Sequence, residues 1–375
     1  MLLIGNCFDK INEIEEKSVQ AIVTSPPYWG LRDYQKDGQL GEELVPEEFV
    51  KNLTALFHKA KRVLKDDGTV WVNIGDTYFG AKGGHWEGGN SITNDNTGGN
   101  YRMQRKAPPK HPRLKTKDLT GVPWMFAFSM QKDGWYLRQD IIWHKPNPMP
   151  ESVQDRCTKS HEYIFLLTKS PKYFYDIDAI REPFNDGGLK RINQNIKNQI
   201  GSERGNGGAR LNGNMKAVGD ENKGANKRSV WSITTKPYKE AHFATFPIEL
   251  PTYCIKAGCP EKVCKKCKKP IIKESYRENK LNVGYGNQHT PSGTHKKIGG
   301  KYQKFMEENP KKIIEKPTCS CNAGFEGGVV LDPFFGSGTT GLAAQEQFKH
   351  WVGIELNPEY IEIANRRLAQ KTLFV

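Results

Sequence analysis

One stretch constrains the fold more than any other. It runs Gly-Gly-Val-Val-Leu-Asp (327–332), Pro-Phe-Phe-Gly-Ser-Gly-Thr-Thr (333–340), Gly-Leu-Ala-Ala-Gln-Glu-Gln-Phe (341–348) and His-Trp-Val-Gly-Ile-Glu-Leu (350–356). An apolar run, a glycine turn, a helical stretch and a second apolar run make a βαβ unit, whose right-handed crossover requires a parallel neighbour. The helical segment Pro-Glu-Tyr-Ile-Glu-Ile-Ala-Asn-Arg-Arg-Leu follows.

The N-terminal region supplies matching parts: a strand in Met-Leu-Leu-Ile-Gly-Asn, a short helix in residues 8–16, and a strand over 19–23 that runs into Thr24-Ser25-Pro26-Pro27-Tyr28. Over 46–65, Phe49, Leu53, Leu56, Phe57, Ala60, Val63 and Leu64 recur at helical spacing, with Pro46 as the start and Asp66-Asp67-Gly68 as the stop. Strands are expected at 69–75, 136–144 and 163–169. About seven strands alternating with helices describe a doubly wound α/β sheet.

The glycine turn lets backbone approach a ligand closely and offers free N–H groups. Gly336 and Gly338 occupy it, and Glu355, nineteen residues after Gly336, closes the next strand, where an acidic residue accepts hydrogen bonds from ribose hydroxyls. The pattern is GxG without a P-loop lysine, so a nucleoside lacking a pyrophosphate, such as S-adenosylmethionine, fits better than NAD or ATP. A purely structural turn is the alternative. Ser25-Pro26-Pro27-Tyr28 ends an apolar strand, where open α/β sheets place their sites. Two prolines fix φ and remove two donors, leaving carbonyls as acceptors. A Ser oxygen and a Pro carbonyl can then take both hydrogens of an exocyclic amino group and aim its lone pair at an electrophilic methyl. Tyr28 offers a ring on which an extruded base can stack. A rigid Pro-Pro loop with no chemistry is the alternative here.

The 375 residues allow one large catalytic body with insertions, or two domains. A formal charge of +14, from 56 Lys+Arg against 42 Asp+Glu, suggests a polyanionic partner. No apolar run approaches the ~20 residues of a membrane span. The first residues lack the charged n-region and cleavage site of a secretory signal, so a cytoplasmic location is expected, in a bacterial, archaeal or phage-infected cell. Eight unevenly spaced cysteines make no disulfide scaffold; close pairs read as metal ligands. None of the eight follows a proline, which argues against cytosine-C5 chemistry through a Pro-Cys nucleophile.

Together, Thr-Ser-Pro-Pro-Tyr-Trp-Gly-Leu-Arg-Asp-Tyr, Asp-Pro-Phe-Phe-Gly-Ser-Gly-Thr-Thr, Gly-Ile-Glu-Leu-Asn-Pro-Glu-Tyr-Ile and His-Phe-Ala-Thr-Phe-Pro-Ile-Glu-Leu-Pro resemble the amino-methylating DNA methyltransferases, in the permuted order of the beta group. The resemblance implies a Rossmann-like seven-stranded sheet, circularly permuted, with loop insertions. It also implies direct transfer of the methyl of S-adenosylmethionine to cytosine N4 or adenine N6 of a flipped base in duplex DNA. Ser at the first tetrapeptide position leans to cytosine. Adenine, RNA or a protein amide as substrate, and a silent DNA-binding scaffold, are the competing readings; a homodimer is one possible assembly, and a restriction-modification system or phage the expected setting.

By position, Ser25, Pro26, Pro27 and Tyr28 would hold the target base. Asp332, Phe334, Gly336, Gly338, Thr339 and Glu355 would line the cofactor, with Phe246 and Pro247 nearby. Asn6 stands where many relatives carry an acidic residue near the adenine, with main-chain groups or Asp9 as substitutes. Trp29, Trp143, His144 and Pro146 fall near the flipped base or its duplex. The implied organisation is a catalytic half of the sheet (1–79), a basic Gly-rich insertion (80–133), a sheet continuation (134–182), a target-recognition segment (183–228), a cofactor-side helix region (229–261), a zinc ribbon with a Lys-rich insertion (262–326) and the S-adenosylmethionine-binding βαβ (327–375).

Cys264-Lys-Lys-Cys267 and Cys319-Ser-Cys321 pair as ligands for a structural Zn2+, with Cys259 in reserve and four unrelated thiols as the alternative. Cys7, Cys157 and Cys254 sit in apolar contexts and read as core. Among basic residues, Arg102, Arg105, Arg113, Arg204 and Arg210 are candidate base readers or phosphate contacts.

Overall fold

Along β3 (Leu64–Ile74), Val70, Val72 and Ile74 enter one apolar cluster and Trp71 enters another. In β5 (His161–Thr168), Phe165 and Leu167 divide in the same way from Ile164 and Leu166. Strands that are apolar on both faces belong in the middle of a sheet covered on both sides. The computed structural model, which describes residues 1–31, 36, 38–80, 111–192, 224–235, 246–276, 308–309 and 312–372, has that arrangement.

Its remaining strands are β1 (Leu2–Ile4), β2 (Val19–Thr24), β4 (Tyr136–His144), β6 (Val230–Ser232), β7 (Val263–Cys264), β8 (Ile271–Tyr276), β9 (Lys312–Pro317), β10 (Phe325–Glu326), β11 (Val329–Asp332) and β12 (His350–Glu355). Eight of the described strands make one sheet in the order β1-β12-β11-β2-β3-β5-β4-β6. β5 alone runs antiparallel to its neighbours. β11 and β12 lie between β1 and β2, so a pair of strands from the C-terminal region is enclosed by two from the N-terminal region within one parallel block.

The expected seven strands are all present. The eighth, β6, is three residues pairing with the end of β4, too short to give a periodic signal. Helix Pro46–Val63 buries Phe49, Leu53, Leu56, Phe57, Ala60 and Val63, as the spacing predicts; Pro46 opens it, Glu47 and Glu48 lie in its first turn, and Lys61 and Arg62 in its last. It ends two residues earlier than expected. Leu64 already pairs with Val19, and a register shift precedes Thr69, so Asp66-Asp67-Gly68 lie within that irregularity of β3 and do not stop the helix.

This helix and Val122–Lys132 contribute to the first cluster, while Glu249–Gly258 and Thr339–Gln345 contribute to the second. Asp76 caps the second helix: its carboxylate accepts Gly121 N–H at 3.1 Å and Val122 N–H at 3.3 Å, together with the Thr120 hydroxyl at 2.7 Å.

By internal contacts the chain divides into two units. One comprises Met1–Ile180, Arg228–Val263 and Glu326–Val375 and holds the sheet; the other comprises Arg181–Lys227 and Cys264–Phe325. In the second, Glu182 and Ala225 exchange backbone hydrogen bonds of 2.9 and 2.8 Å, and Glu182 pairs with Lys227 at 3.1 Å. There too, β8 pairs antiparallel with β9. No helix among the described residues is long and apolar enough to cross a membrane.

Candidate active site

Ser25, Pro26, Pro27 and Tyr28 continue directly from β2, whose Thr24 pairs with Val72 of parallel β3. The end of β3 pairs with the start of β5, and the end of β4 with the same residues, so these strand termini meet at one edge. A network forms there. The Tyr28 hydroxyl donates to Glu162 Oε2 at 2.5 Å. Asn73 Nδ2 lies 2.8 Å from that hydroxyl, 2.8 Å from Glu162 Oε2 and 3.3 Å from Ser25 Oγ. Lys145 pairs with the other Glu162 oxygen, both side chains being largely buried. Asn73 Oδ1 is buried with no hydrogen-bond partner among the described residues. A Cβ at Gly75 would stand 2.7 Å from Tyr28 Cε2, so the ring rests against bare backbone there.

The glycine turn abuts this site. Thr24 Oγ1 donates to Asp332 Oδ1 at 2.5 Å, a bond spanning 308 positions of sequence. Asp332 also accepts the Thr340 hydroxyl at 2.7 Å and Phe334 N–H at 3.0 Å. It is fully buried, and desolvation lifts its pKa to about 6 against those three donors. Asp332 therefore fastens β11, β2 and the following helix together and offers a ligand no exposed surface, a correction to its expected place on the cofactor's wall.

Phe334 and Phe335 diverge. Phe334 stays half-buried, whereas Phe335 stacks on Trp351 at 5.0 Å over Gly353 and Gly341, neither of which has room for a Cβ. Gly336 and Gly338 take φ of +51° and +81°. A Cβ at Gly336 would meet nothing closer than 4.0 Å, so its requirement is conformational and the space before it is open. Glu355 accepts Gly336 N–H at 2.7 Å and Asn357 N–H at 2.8 Å. Each of its oxygens keeps acceptor capacity for a hydroxyl. Burial raises its pKa. The Thr339 hydroxyl accepts from Arg367 at 3.2 Å and is buried. Asn6 caps the first helical turn through Phe8 N–H and donates to the Gly38 carbonyl. Phe246 is half-buried and Pro247 buried, just ahead of the helix whose preceding residue Ile248 packs against the cluster of Phe335, Leu342, Ala364 and Leu368. An acidic acceptor beneath positive-φ glycines, open space in front and aromatic walls fit a nucleoside.

The expected groove contacts fare unevenly. Trp29 is buried, stacked on Phe79 with its indole N–H on the Glu43 carbonyl, and Trp143 is buried with its own on the Ile233 carbonyl, so both rings are turned into the core. His144 is half-buried on the Ser232 hydroxyl, Pro146 is exposed, and Arg113 is exposed in a pair with Glu47. Arg102, Arg105, Arg204 and Arg210 lie outside the described residues. Asn73 and Glu162 belong to no motif that the sequence displays, whereas Lys145 falls between the expected pocket walls His144 and Pro146. For the first two, the one sequence signal is a lone Asn inside the apolar strand Thr-Val-Trp-Val-Asn-Ile, since a buried polar side chain needs partners.

In the second unit, the sulfurs of Cys264, Cys267, Cys319 and Cys321 all lie within 4.8 Å of one another. Tetrahedral zinc with bonds of about 2.3 Å sets sulfurs about 3.8 Å apart, within reach of this set by small side-chain movements. Cys264 N–H donates to the Lys269 carbonyl, Lys268 takes φ of +57°, and Lys265 N–H reaches the Gly324 carbonyl. Backbone N–H groups of Cys267 and Lys266 draw the Cys264 thiol down to about 6, while hydrogen bonds with neighbouring thiols push Cys321 up to about 12. Four thiols cannot ionise together without a cation, and the donor set fits a thiolate-bound metal. Cys259 and Cys254 are buried apart from this set; Cys7 is half-buried, and Cys157 is exposed, against expectation.

The family described as DNA methylase, of the N6/N4 methyltransferase type, matches residues 19–263 and 263–366. Type II methyltransferase M.Cfr9I of Citrobacter freundii is 38% identical, with 98% of this chain and 87% of that protein covered. Type II methyltransferase M.SmaI of Serratia marcescens is 36% identical, with 99% and 91% covered. The solved structure of the cytosine-N4-specific PvuII DNA methyltransferase shares the fold, with a TM-score of 0.53 at 15% identity over 98% of this chain and 85% of that one. A family match over most of the sequence, and relatives this similar along nearly all of it, establish that the chain belongs to the N6/N4 family of DNA methyltransferases.

Proposed function

We propose that this DNA methyltransferase methylates the exocyclic amino group of a base flipped from duplex DNA, with cytosine N4 as its target. The observation that supports this best is the junction of Ser25-Pro26-Pro27-Tyr28 with the Gly336–Gly338 turn through the Thr24–Asp332 bond. When bound, S-adenosylmethionine supplies an electrophilic methyl on a sulfonium.

Glu355 would hold the ribose hydroxyls, in front of the open space at Gly336. The Ser25 oxygen and the Pro26 carbonyl accept the two amino hydrogens, so the nitrogen's lone pair points away from both, toward the turn. The Tyr28 ring stacks on the base, its hydroxyl held by Glu162 and Asn73. The proton shed by the methylated nitrogen would pass along Ser25 Oγ and the Tyr28 hydroxyl, each giving up its own proton in turn, to the Glu162 carboxylate. Serine in place of aspartate at the first position supports cytosine, whose delocalised amino lone pair gains from being held partly pyramidal. The basic segments serve DNA binding, and the setting is a restriction-modification system or a phage.

The purified protein, given labelled S-adenosylmethionine and duplex DNA, should yield N4-methylcytosine on nucleoside analysis. Only 6-methyladenine would overturn the base assignment, and no label in DNA would overturn the reaction. Ser25→Ala and Tyr28→Ala should cut turnover while the fold persists.

A further inference from the structure

The connection from β4 to β5 leaves the sheet at the edge that carries Ser25 and Tyr28. It is tied down nearly throughout. Lys145 N–H donates to the Ser160 carbonyl at 2.7 Å, and the Lys145 ammonium pairs with Glu162, the partner of Tyr28. Asn147 exchanges side-chain hydrogen bonds with Thr235 of 3.1 and 3.0 Å. Glu151 pairs with Arg156 at 2.5 Å and accepts Lys159 N–H at 3.3 Å. The Arg156 guanidinium sits 4.0 Å over the Tyr78 ring, and the Lys159 ammonium donates to the Asp76 carbonyl. Pro148-Met149-Pro150 forms the tip of this frame, where no such tie is made among the described residues.

Met149 is 85% exposed, the most exposed large apolar side chain among the described residues. Its backbone is nonetheless stiff. Pro148 and Pro150 have fixed φ, and a residue that precedes proline is confined to extended conformations. A long, unbranched, adaptable apolar side chain is thus projected from a rigid loop beside the site where a base must leave the stack. An isolated exposed apolar residue needs no explanation; one held rigidly at this edge, with no partner among the described residues, points to an apolar partner outside the chain.

We propose that Met149 is a wedge that enters the duplex at the target position and fills the space vacated by the extruded base. Apolar side chains are suited to this, since they pack between base faces and take no hydrogen-bond partner away from water. The inference rests on the base-flipping reading above. The loop carries the wedge, and its Lys145 anchor ends on the carboxylate that holds Tyr28. Extrusion at the stack and capture on the ring are thereby mechanically joined.

The test uses the full-length enzyme and a duplex containing the site it methylates, with 2-aminopurine at the target position and, in parallel assays, the target base either paired or mispaired. Met149→Ala should lower turnover on the paired duplex by roughly tenfold or more and suppress the rise in 2-aminopurine fluorescence. A mispaired target, already cheap to extrude, should restore turnover to within about twofold of wild type. Met149→Leu should keep both signals. The wedge is overturned if Met149→Ala flips and methylates the paired duplex like wild type, or if it loses activity equally on both duplexes. Wild-type enzyme that labels no DNA at all would instead sink the methylation reading, a distinct result.

Discussion

Taking the charge from Glu162 weakens at once the bonds that Tyr28, Asn73 and Lys145 make to this shared partner. Hydrogen bonds to a charged group are worth about 1.5–3 kcal/mol each, and a largely buried lysine left without its anion adds to the loss. Glu162→Gln is therefore expected to cut kcat by tenfold or more, as misplacing a positioned group by about 1 Å does. Cofactor affinity should stay near wild type, because among the described residues Glu162, Asn73 and Lys145 make no hydrogen bond to Glu355 or to the glycine turn. Gly75→Ala should do the same by another route, since its new methyl would overlap the Tyr28 ring. Steady-state kinetics with calorimetric titration of S-adenosylmethionine separates these effects; weakened cofactor binding with kcat intact would refute the positioning role. Ser25-Pro26-Pro27-Tyr28 was legible in sequence because its chemistry is local. Glu162 and Asn73 act only because three strand ends converge on them, and no spacing records that. That Trp29 and Trp143 pack inward was hidden for the mirror-image reason: proximity to a motif in sequence says nothing about which way a ring packs.

Asp332 welds a strand to its neighbour and to the helix beyond the turn, and it does so as a buried acid. Its folded pKa, about 6, lies above the ordinary 3.8. Between those values the native state keeps a proton that the unfolded chain has released. Stability from this group is therefore full below about pH 4 and is lost as pH rises through 6. At about 1.4 kcal/mol per pKa unit the swing is on the order of 3 kcal/mol. Relative to Asp332→Asn, which cannot titrate, wild-type stability in urea should fall between pH 4 and 7; a constant difference would disprove it. The ribbon makes a second prediction at this scale. Elemental analysis should find one zinc per chain, lost on Cys264→Ser together with the order of β8 and β9, because binding energy of thiolate-bound zinc is folding energy. Metal-free protein with an unchanged melting curve would end the idea. The βαβ unit and the long amphipathic helix were readable because their periodicities are strong. β5 reversing direction was not, since an apolar strand carries the same pattern either way up. Nor was the irregularity in β3, where pairing with Val19 outweighs three residues that ordinarily stop a helix.

Charge is distributed over the whole molecule in a way that local motifs hide. The segments 181–227 and 264–325, which form the second unit, hold 23 of the 56 Lys+Arg and 10 of the 42 Asp+Glu, so they carry +13 of the +14. The unit that contains the sheet is close to neutral. Such a division assigns the chemistry to one body and attraction for a polyanion to the other. Every lysine–phosphate pair that is removed lowers the slope of log affinity against log salt by about 0.9. Changing Lys296, Lys297, Lys301 and Lys304 to Gln should therefore weaken binding to all duplexes alike and flatten that slope by up to about 3.6. The affinity for S-adenosylmethionine, and turnover at saturating DNA, should remain as in wild type. Replacing 183–228 with the equivalent segment of a relative that methylates another sequence should act differently, redirecting methylation to the relative's site. Methylation mapping by sequencing, with binding isotherms over a range of salt concentrations, distinguishes the two. A slope that survives removal of the four lysine charges would show that these lysines do not meet phosphates. A swap that leaves the methylated sequence untouched would remove 183–228 from target recognition.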